Sequence, residues 1–156
     1  MKNIGVDVAI PFTLGVLHPL GAKEYEAALR SEFAKGIDVV IDYLWGESAK
    51  TIIGTIAKEV EDGRPVRFVH VGGASGEANI ELPGAALRSS AILLMGSGIK
   101  SVPLSGLLGA VKHVFEAVAP AKLEIVTRVV PLAQVEETWE KAEGKPRVVF
   151  VIDRSC

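Results

Sequence analysis

GIDVVIDYLWGES, residues Gly36–Ser48, is the stretch that decides the fold of this chain. Its apolar run is interrupted once by Asp38 and ends at Asp42, and Ser48 is a candidate N-cap for a following helix. A near-continuous run of β-branched residues is typical of a parallel strand that helices cover on both faces. Ligands bind beyond the carboxyl ends of such strands, so the segment Asp42–Trp45 is predicted to lie where function is carried out.

The bulk composition of the 156-residue chain fits one globular domain with a sizeable core. Its net charge of −2 gives no electrostatic indication of a nucleic-acid partner. No apolar run is long enough to cross a bilayer, so a membrane partner is not expected either. The single cysteine is the last residue, Cys156, which excludes an internal disulfide and makes the cytoplasm the expected compartment.

Strand and helix patterns alternate along the chain. Six strands are predicted, at Asp7–Phe12, Ile37–Leu44, Val66–Val71, Ala91–Met95, Leu123–Val130 and Arg147–Ile152. Helices are predicted over Lys23–Lys35, Ser48–Val60, Pro103–Val118 and Leu132–Ala142, the third with its apolar face buried. This alternation predicts an α/β fold with a mainly parallel sheet.

Metal and nucleophile chemistry has little support in the sequence. Catalytic zinc needs about three protein ligands and structural zinc about four, whereas His18, His70 and His113 show no ligand spacing. His70 lies inside a predicted strand and is interpreted as a satisfied histidine of the core or sheet face. Asp42 and Glu47 could form an acid–base pair, but an acid that stabilises the start of a helix explains Glu47 more simply.

Two predicted strands end in glycine-rich turns, Val71–Gly76 and Gly96–Gly98. The first turn departs from the GxGxxG phosphate-binding pattern, because Val71 stands at the first glycine position. Glu77, Asn79 and Pro83 follow where a helix N-terminus should receive a pyrophosphate. A plain glycine-rich turn therefore remains open beside any role in ligand binding.

The ordered segments of the chain resemble the C-terminal half of the medium-chain dehydrogenase/reductase superfamily. The matching text is DVVIDYLWG (Asp38–Gly46), VHVGGASG (Val69–Gly76), LRSSAILLMGSG (Leu87–Gly98), VPLSGLL (Val102–Leu108) and VVPLAQVEETWEKAEGKPRVVFVI (Val129–Ile152). The closest match is the quinone oxidoreductase-like branch, also called zinc-type alcohol dehydrogenase-like. These segments follow the order and spacing of the family and cover nearly the whole chain.

The resemblance implies a partial Rossmann-type three-layer fold with a mainly parallel sheet. Residues 1–156 would be a single incomplete nucleotide-binding domain that lacks the first two strands, the glycine-rich phosphate loop and the catalytic domain. Asp7–Phe12 would be the third strand, and the next three predicted strands would be the fourth, fifth and sixth. The strand–helix–strand of residues 121–156 would contact the catalytic domain in complete members.

The same resemblance implies an NAD(P)H-dependent oxidoreductase without zinc. Weak or absent cofactor binding is expected because the phosphate loop is missing, and no residue qualifies as a catalytic acid, base or nucleophile. Activity of this chain alone is therefore not expected. The implied contacts on the nicotinamide side are Tyr43, Leu44, Trp45, Val71, Gly72, Gly73, Gly96 and Ser97. For Trp45, an aromatic ring that covers a strand–helix corner is an equal alternative.

A second interpretation is a non-catalytic module that dimerises or complements a separate chain carrying the missing half. The family strand order 3-2-1-4-5-6 without strands 1 and 2 leaves the central strand with an unpaired edge, which recruits another strand. We therefore predict a homo-oligomer held together through its sheet. Pairing of Ala91–Met95 with its symmetry mate, as the resemblance suggests, or exchange of the terminal segments would form it.

Overall fold

The computed structural model describes residues 6–11, 19–141 and 146–152, which fall into two compact units divided between Pro103 and Leu104. The first unit contains, in chain order, α1 (Pro19–Phe33), β1 (Val39–Asp42), α2 (Gly46–Glu59), β2 (Val66–His70), α3 (Gly84–Arg88) and β3 (Ile92–Gly96). The second unit contains α4 (Leu104–Val118), β4 (Thr127–Pro131), a 3₁₀ turn (Leu132–Gln134), α5 (Val135–Trp139) and β5 (Arg147–Val151).

The first unit is built on a three-stranded parallel sheet with the order β1–β2–β3. Asp42 aligns with His70, and His70 aligns with Gly96, so the three carboxyl ends meet at one edge. The predicted α/β class with a parallel sheet is confirmed. The neighbour relations are also those expected of the fourth, fifth and sixth strands of a Rossmann-type sheet.

One face of this sheet carries the core of the first unit. The buried cluster joins residues of α1, α2 and β2, namely Leu29, Phe33, Ala49, Ile53, Ile56, Val66 and Phe68. The apolar residues of α2 recur with the helical period, so one side of the helix faces the sheet. Full burial of a side chain such as Phe68 contributes about 2–3 kcal/mol. Gly36, with φ of 96°, provides the left-handed turn between α1 and β1.

The opposite face of the sheet is uncovered in the described part of the chain, contrary to the prediction of a strand buried on both faces. On β1, Val39 and Ile41 are 43% and 61% exposed, and on β3 Leu93 and Met95 are exposed to a similar degree. The apolar run of β1 therefore indicates a parallel strand correctly, but the expected cover on its second face is absent among the described residues.

The predicted strand Asp7–Phe12 is wrong over its described part, because residues 6–11 form no strand, and Phe12 lies outside the described residues. A strand needs a hydrogen-bonded neighbour, and no strand described in the structure pairs with this segment. Pro11 also has no backbone N–H to offer to a ladder. Ile10 instead packs against the core cluster.

Helix α4 forms where the sequence predicts it, but the prediction that its apolar face is buried is wrong. Leu104, Leu108 and Phe115 are all exposed in the structure. The 3.6-residue period of these side chains specifies a helix, but it does not specify what covers the apolar stripe. Among the helices in the described ranges, none is long and apolar enough to span a bilayer.

The second unit also contains a parallel strand pair, β4 and β5, aligned from Thr127 opposite Arg147 to Pro131 opposite Val151. Strand β4 begins at Thr127, four residues later than predicted. The predicted helix Leu132–Ala142 is a 3₁₀ turn followed by the short helix α5, and Ala142 lies outside the described residues. The rings of Trp139 and Phe150 stack with centroids 6.2 Å apart, which joins α5 to β5.

Candidate functional site

Asp42 organises the edge at which β1 and β2 end. Its carboxylate is only 5% exposed and accepts hydrogen bonds from the backbone N–H groups of Leu44, at 3.0 Å, and Trp45, at 3.0 Å. Its second oxygen, Oδ2, lies 2.9 Å from Nδ1 of His70. A buried carboxylate is tolerated only when it is paired and hydrogen-bonded in this way, so Asp42 holds the loop after β1 in one conformation.

Trp45 is held by Asp42 in a backbone conformation that side-chain-bearing residues rarely adopt, with φ of 63° and ψ of −159°. Such a conformation costs about 1–3 kcal/mol and is concentrated at functional sites. Trp45 is also the N-cap of α2, so the predicted N-cap Ser48 is wrong. Because the Asp42 carboxylate binds the backbone N–H of Trp45, α2 begins at Gly46, earlier than an N-cap at Ser48 would predict. Ser48 lies in the first turn, where its hydroxyl donates to the carbonyl oxygen of Trp45 at 2.9 Å.

The carboxylate of Glu77 covers the N-terminus of α2. Its Oε1 accepts the N–H of Glu47 at 3.3 Å, and a Cβ added to Gly46, whose φ is 67°, would collide with the same carboxylate. Ser75 supports this arrangement because its hydroxyl oxygen accepts the N–H of Glu77 at 3.1 Å. A helix N-terminus attracts anions, so the chain's own carboxylate occupies the place that would favour a phosphate.

The loops after the three strands continue the backbone hydrogen bonding of the sheet. The N–H of Val71 donates to the carbonyl of Asp42 at 2.7 Å, and the N–H of Ser97 donates to the carbonyl of His70 at 2.8 Å. Farther along the loop, the N–H of Ala74 donates to the carbonyl of Tyr43 at 3.0 Å. Backbone hydrogen bonds therefore connect the loops that follow the three strands to the neighbouring strand ends.

The glycines of these loops differ in what surrounds them. A Cβ at Gly72 would lie 3.4 Å from the carbonyl oxygen of Tyr43, so a close approach of two backbones accounts for that glycine. Gly73 and Gly96 have no heavy atom within 4 Å of an added Cβ, and both are exposed. Their backbone is therefore open to a flat ligand, whereas the backbone at Gly72 is already packed.

All eight predicted contact residues lie at or directly after the carboxyl ends of the three strands: Tyr43, Leu44 and Trp45 after β1, Val71, Gly72 and Gly73 after β2, and Gly96 and Ser97 at the end of β3. The structure thus places them along one edge of the sheet. Tyr43 is largely exposed, whereas Trp45 is half-buried and packs partly against the core. The alternative for Trp45, an aromatic ring at a strand–helix corner, fits that packing.

His70 is the residue of this edge that the sequence interpretation missed. Its side chain is 38% exposed, and its ring centroid lies 4.4 Å from that of Trp45. Asp42 pairs with His70 rather than with Glu47, whose carboxylate lies 3.7 Å from the ammonium group of Lys50. The available signal was that Asp42 and His70 each stand at the end of a predicted parallel strand, and such ends meet at one edge.

Tyr25 is a third titratable residue at this site, in addition to Asp42 and His70. It lies on α1 and packs partly against the core cluster. Burial of its phenol raises the pKa of Tyr25 above the ordinary value of 10.0, and the negative charge of Asp42 raises that pKa further. The edge of the sheet on the helix-covered side therefore carries a phenol, a carboxylate and an imidazole.

Metal-binding groups and grooves were the other features of the described residues that could define a site. No group of three or more His, Cys, Asp or Glu side chains in the described ranges is placed to hold a metal ion. A groove of about 490 Å³ runs between α2 and α3, lined by residues such as Gly54, Ala57 and Leu82. None of the eight predicted contact residues lines this groove, so it is separate from the strand-end edge.

These features define a parallel α/β unit of the Rossmann type, in which the carboxyl ends of β1, β2 and β3 lie along one edge of the sheet. No protein-family model and no curated protein matches the sequence. Among solved structures, a protein assigned as an NADPH:quinone reductase from Mesorhizobium loti matches with a TM-score of 0.51 and 19% identity, over 81% of this chain and 37% of that chain. CurA from Vibrio vulnificus, solved with NADPH, matches with a TM-score of 0.50 and 14% identity, over 84% of this chain and 41% of that chain.

The predicted resemblance to the quinone oxidoreductase-like branch is confirmed at the level of the fold. This chain spans 37% and 41% of the length of the two matched proteins, so it has the fold of part of each. Identities of 19% and 14% are too low to transfer an activity from the matched proteins to this chain.

Proposed function

We propose that this chain forms the nicotinamide side of an NAD(P)H-dependent oxidoreductase of the quinone oxidoreductase type and acts in the cytoplasm. The observation that carries this proposal is the open backbone of Gly73 and Gly96 at the edge where β2 and β3 end. Ligands of parallel sheets bind at that edge. The two solved structures of similar fold support the choice of cofactor, because one is assigned as an NADPH:quinone reductase and the other is CurA in complex with NADPH.

The chain's own residues would bind and orient the cofactor. NAD(P)H, when bound, supplies a hydride for a quinone, an enone or a carbonyl compound. Gly73 and Gly96 offer main chain that a flat ring can approach without meeting a side chain, and Ser97 follows Gly96 directly. Tyr43 and Trp45 border the same edge from the loop after β1.

The pyrophosphate end of the cofactor fits the described residues poorly. No helix begins directly after the glycine-rich turn, since α3 starts only at Gly84, and Glu77 already occupies the N-terminus of α2. We therefore expect a dissociation constant for NADPH weaker than about 1 μM, which corresponds to about 8 kcal/mol. Titration of the pure chain with NADPH, followed by cofactor fluorescence, measures it. A submicromolar value would contradict this expectation.

Substitution of Gly73 tests the nicotinamide contact directly. Gly73→Val places bulk where no protein atom lies within 4 Å, so the fold should remain cooperative while cofactor binding is lost. Gly54→Val is the matched control, because Gly54 also has open space around an added Cβ and lines the groove between α2 and α3, which none of the predicted contact residues lines. Equal NADPH binding by the two variants would indicate that the turn after β2 is a plain turn.

A second candidate function is a non-catalytic assembly module. The exposed apolar residues on the outer face of the sheet, among them Ile41 and Leu93, favour it. In this case the chain would dimerise or complement a separate chain that supplies a part of the matched proteins that this chain does not span. NADPH binding that appears only after such a second chain is added would favour a divided enzyme over a self-sufficient cofactor module.

A further inference from the structure

Asp42 determines which nitrogen of His70 carries the proton. The buried carboxylate accepts backbone N–H groups from Leu44 and Trp45, and it offers Oδ2 to Nδ1 of His70. A carboxylate in this network is an acceptor, so Nδ1 must be the donor. The neutral imidazole then carries its lone pair on Nε2, and the protonated imidazole can donate a proton from Nε2.

The Nε2 side of the His70 imidazole lies at the strand ends, where the proposed cofactor and substrate would bind. His70 stands at the carboxyl end of β2, in register between Asp42 on β1 and Gly96 on β3. Its side chain is partly exposed, and Nε2 makes no hydrogen bond with any residue that the structure describes. The indole ring of Trp45, 4.4 Å away, restricts the orientation of the imidazole.

We propose that His70 is the acid–base residue of this site and that it donates its Nε2 proton to the oxygen of a carbonyl or quinone substrate. This inference rests on the proposed function, which supplies NAD(P)H as the hydride donor. Hydride forms the new C–H bond at the carbonyl carbon, and the π electrons of the C=O bond move to oxygen. That oxygen takes the proton from Nε2, and His70 is left neutral with its Nδ1–H still bonded to Asp42.

The roles of the two residues differ. His70 touches the substrate oxygen and is the catalytic residue, whereas Asp42 acts through His70 and is a positioning residue. Tyr25 on α1 is a further titratable group at this pair, because the charge of Asp42 acts on its phenol.

The test uses the full chain with NADPH and 9,10-phenanthrenequinone as the probe substrate. His70→Gln should lower kcat by about 100-fold, the usual contribution of a general acid, while NADPH binding is unchanged. His113→Gln is the matched control, because His113 lies exposed on α4 and outside the site, and it should behave as the unsubstituted chain.

A spectroscopic measurement without substrate tests the positioning role. Long-range ¹H–¹⁵N NMR of the neutral imidazole should show the proton of His70 on Nδ1, and Asp42→Asn should abolish that preference. A proton on Nε2 in the unsubstituted chain would overturn the inference.

The outcomes separate this inference from the proposed function. NADPH binding with turnover that His70→Gln leaves unchanged would overturn the role of His70 alone. NADPH binding without any quinone reduction would do the same. Absence of NADPH binding would overturn both the proposed function and the inference that rests on it.

Discussion

The Nδ1 atom of His70 lies 2.9 Å from Oδ2 of Asp42, and this contact joins the ends of two neighbouring strands through their side chains. The same strands are joined through their backbones, because the N–H of Val71 donates to the carbonyl of Asp42 at 2.7 Å. Asp42 therefore supplies both a backbone and a side-chain acceptor where β1 and β2 end.

Removal of the Asp42 carboxylate should destabilise the first unit strongly. Asp42→Ala leaves the N–H groups of Leu44 and Trp45 without their acceptor in a part-buried position. We expect a loss of about 3 kcal/mol in the free energy of unfolding, measured by urea denaturation. The control is Asp38→Ala, since Asp38 forms an exposed ion pair and should cost less than about 1 kcal/mol. Similar losses in the two variants would contradict the assigned role of Asp42.

Two glycines of α2 should respond in opposite directions to the same substitution. Gly46→Ala should destabilise by about 1–2 kcal/mol, because φ of 67° is unfavourable for alanine and the new Cβ meets the Glu77 carboxylate. Gly54→Ala lies inside the same helix with open space around it, and it should stabilise by about 0.5–1 kcal/mol. Thermal unfolding of the two variants measures both changes. A stabilising Gly46→Ala would contradict the observed start of α2.

The raised pKa of Tyr25 predicts a loss of stability in alkali. Burial, and then the charge of Asp42, keep the Tyr25 phenol neutral in the folded chain above pH 10.0, where the unfolded chain ionises. The unfolded state therefore binds fewer protons in that range, and stability falls as the pH rises from 10.0 through the pKa of the folded state. Below pH 10.0 this contribution to stability is fully present.

Tyr25→Phe should remove that part of the alkaline loss, and urea denaturation across the alkaline range measures it. Tyr43→Phe is the control, because Tyr43 is largely exposed in the loop after β1. Phenolate absorbance gives a second readout of the same titration. If the two variants lose stability equally with rising pH, the burial of the Tyr25 phenol is not responsible.

Much of the fold could be predicted from local patterns in the sequence. The continuous β-branched run of β1 and the glycines that end β2 and β3 indicate parallel strands, because few other structures accommodate such segments. The periods of α2 and α4 likewise specify helices. The ligand edge then follows from topology, since parallel strands end on the same side of a sheet.

The sequence-based predictions that were wrong concern features that depend on contacts between residues distant in the sequence. The start of α2 is decided by the Asp42 carboxylate and the strained Trp45, and the local signal of Ser48 does not contain that information. The pairing of Asp42 with His70 depends on the register between β1 and β2, which a single sequence does not fix. The cover of an apolar face is likewise a tertiary property, as the exposed face of α4 illustrates.

The outer face of the first sheet combines exposed apolar side chains with unpaired strand edges. Within the described ranges, β1 and β3 each pair only with β2, so each has one edge without a partner strand. Val39, Ile41, Leu93 and Met95 add an apolar surface on the uncovered face. Unpaired edges of this kind recruit further strands, and burial of apolar surface contributes about 25 cal/mol per Å².

We expect that surface to hold the chain in a homo-oligomer. Ile41→Lys places a charge on the outer face at a site already 61% exposed, so it should shift the assembly towards the monomer while the fold remains intact. Val8→Lys is the control, because Val8 is exposed but lies outside the sheet. Light scattering on dilute, freshly purified protein measures the mass, and circular dichroism verifies the fold. The charge acts on the assembly rather than on the core, because Ile41 lies on the face opposite to the buried cluster. A stable, well-folded monomer of the unsubstituted chain would contradict the prediction.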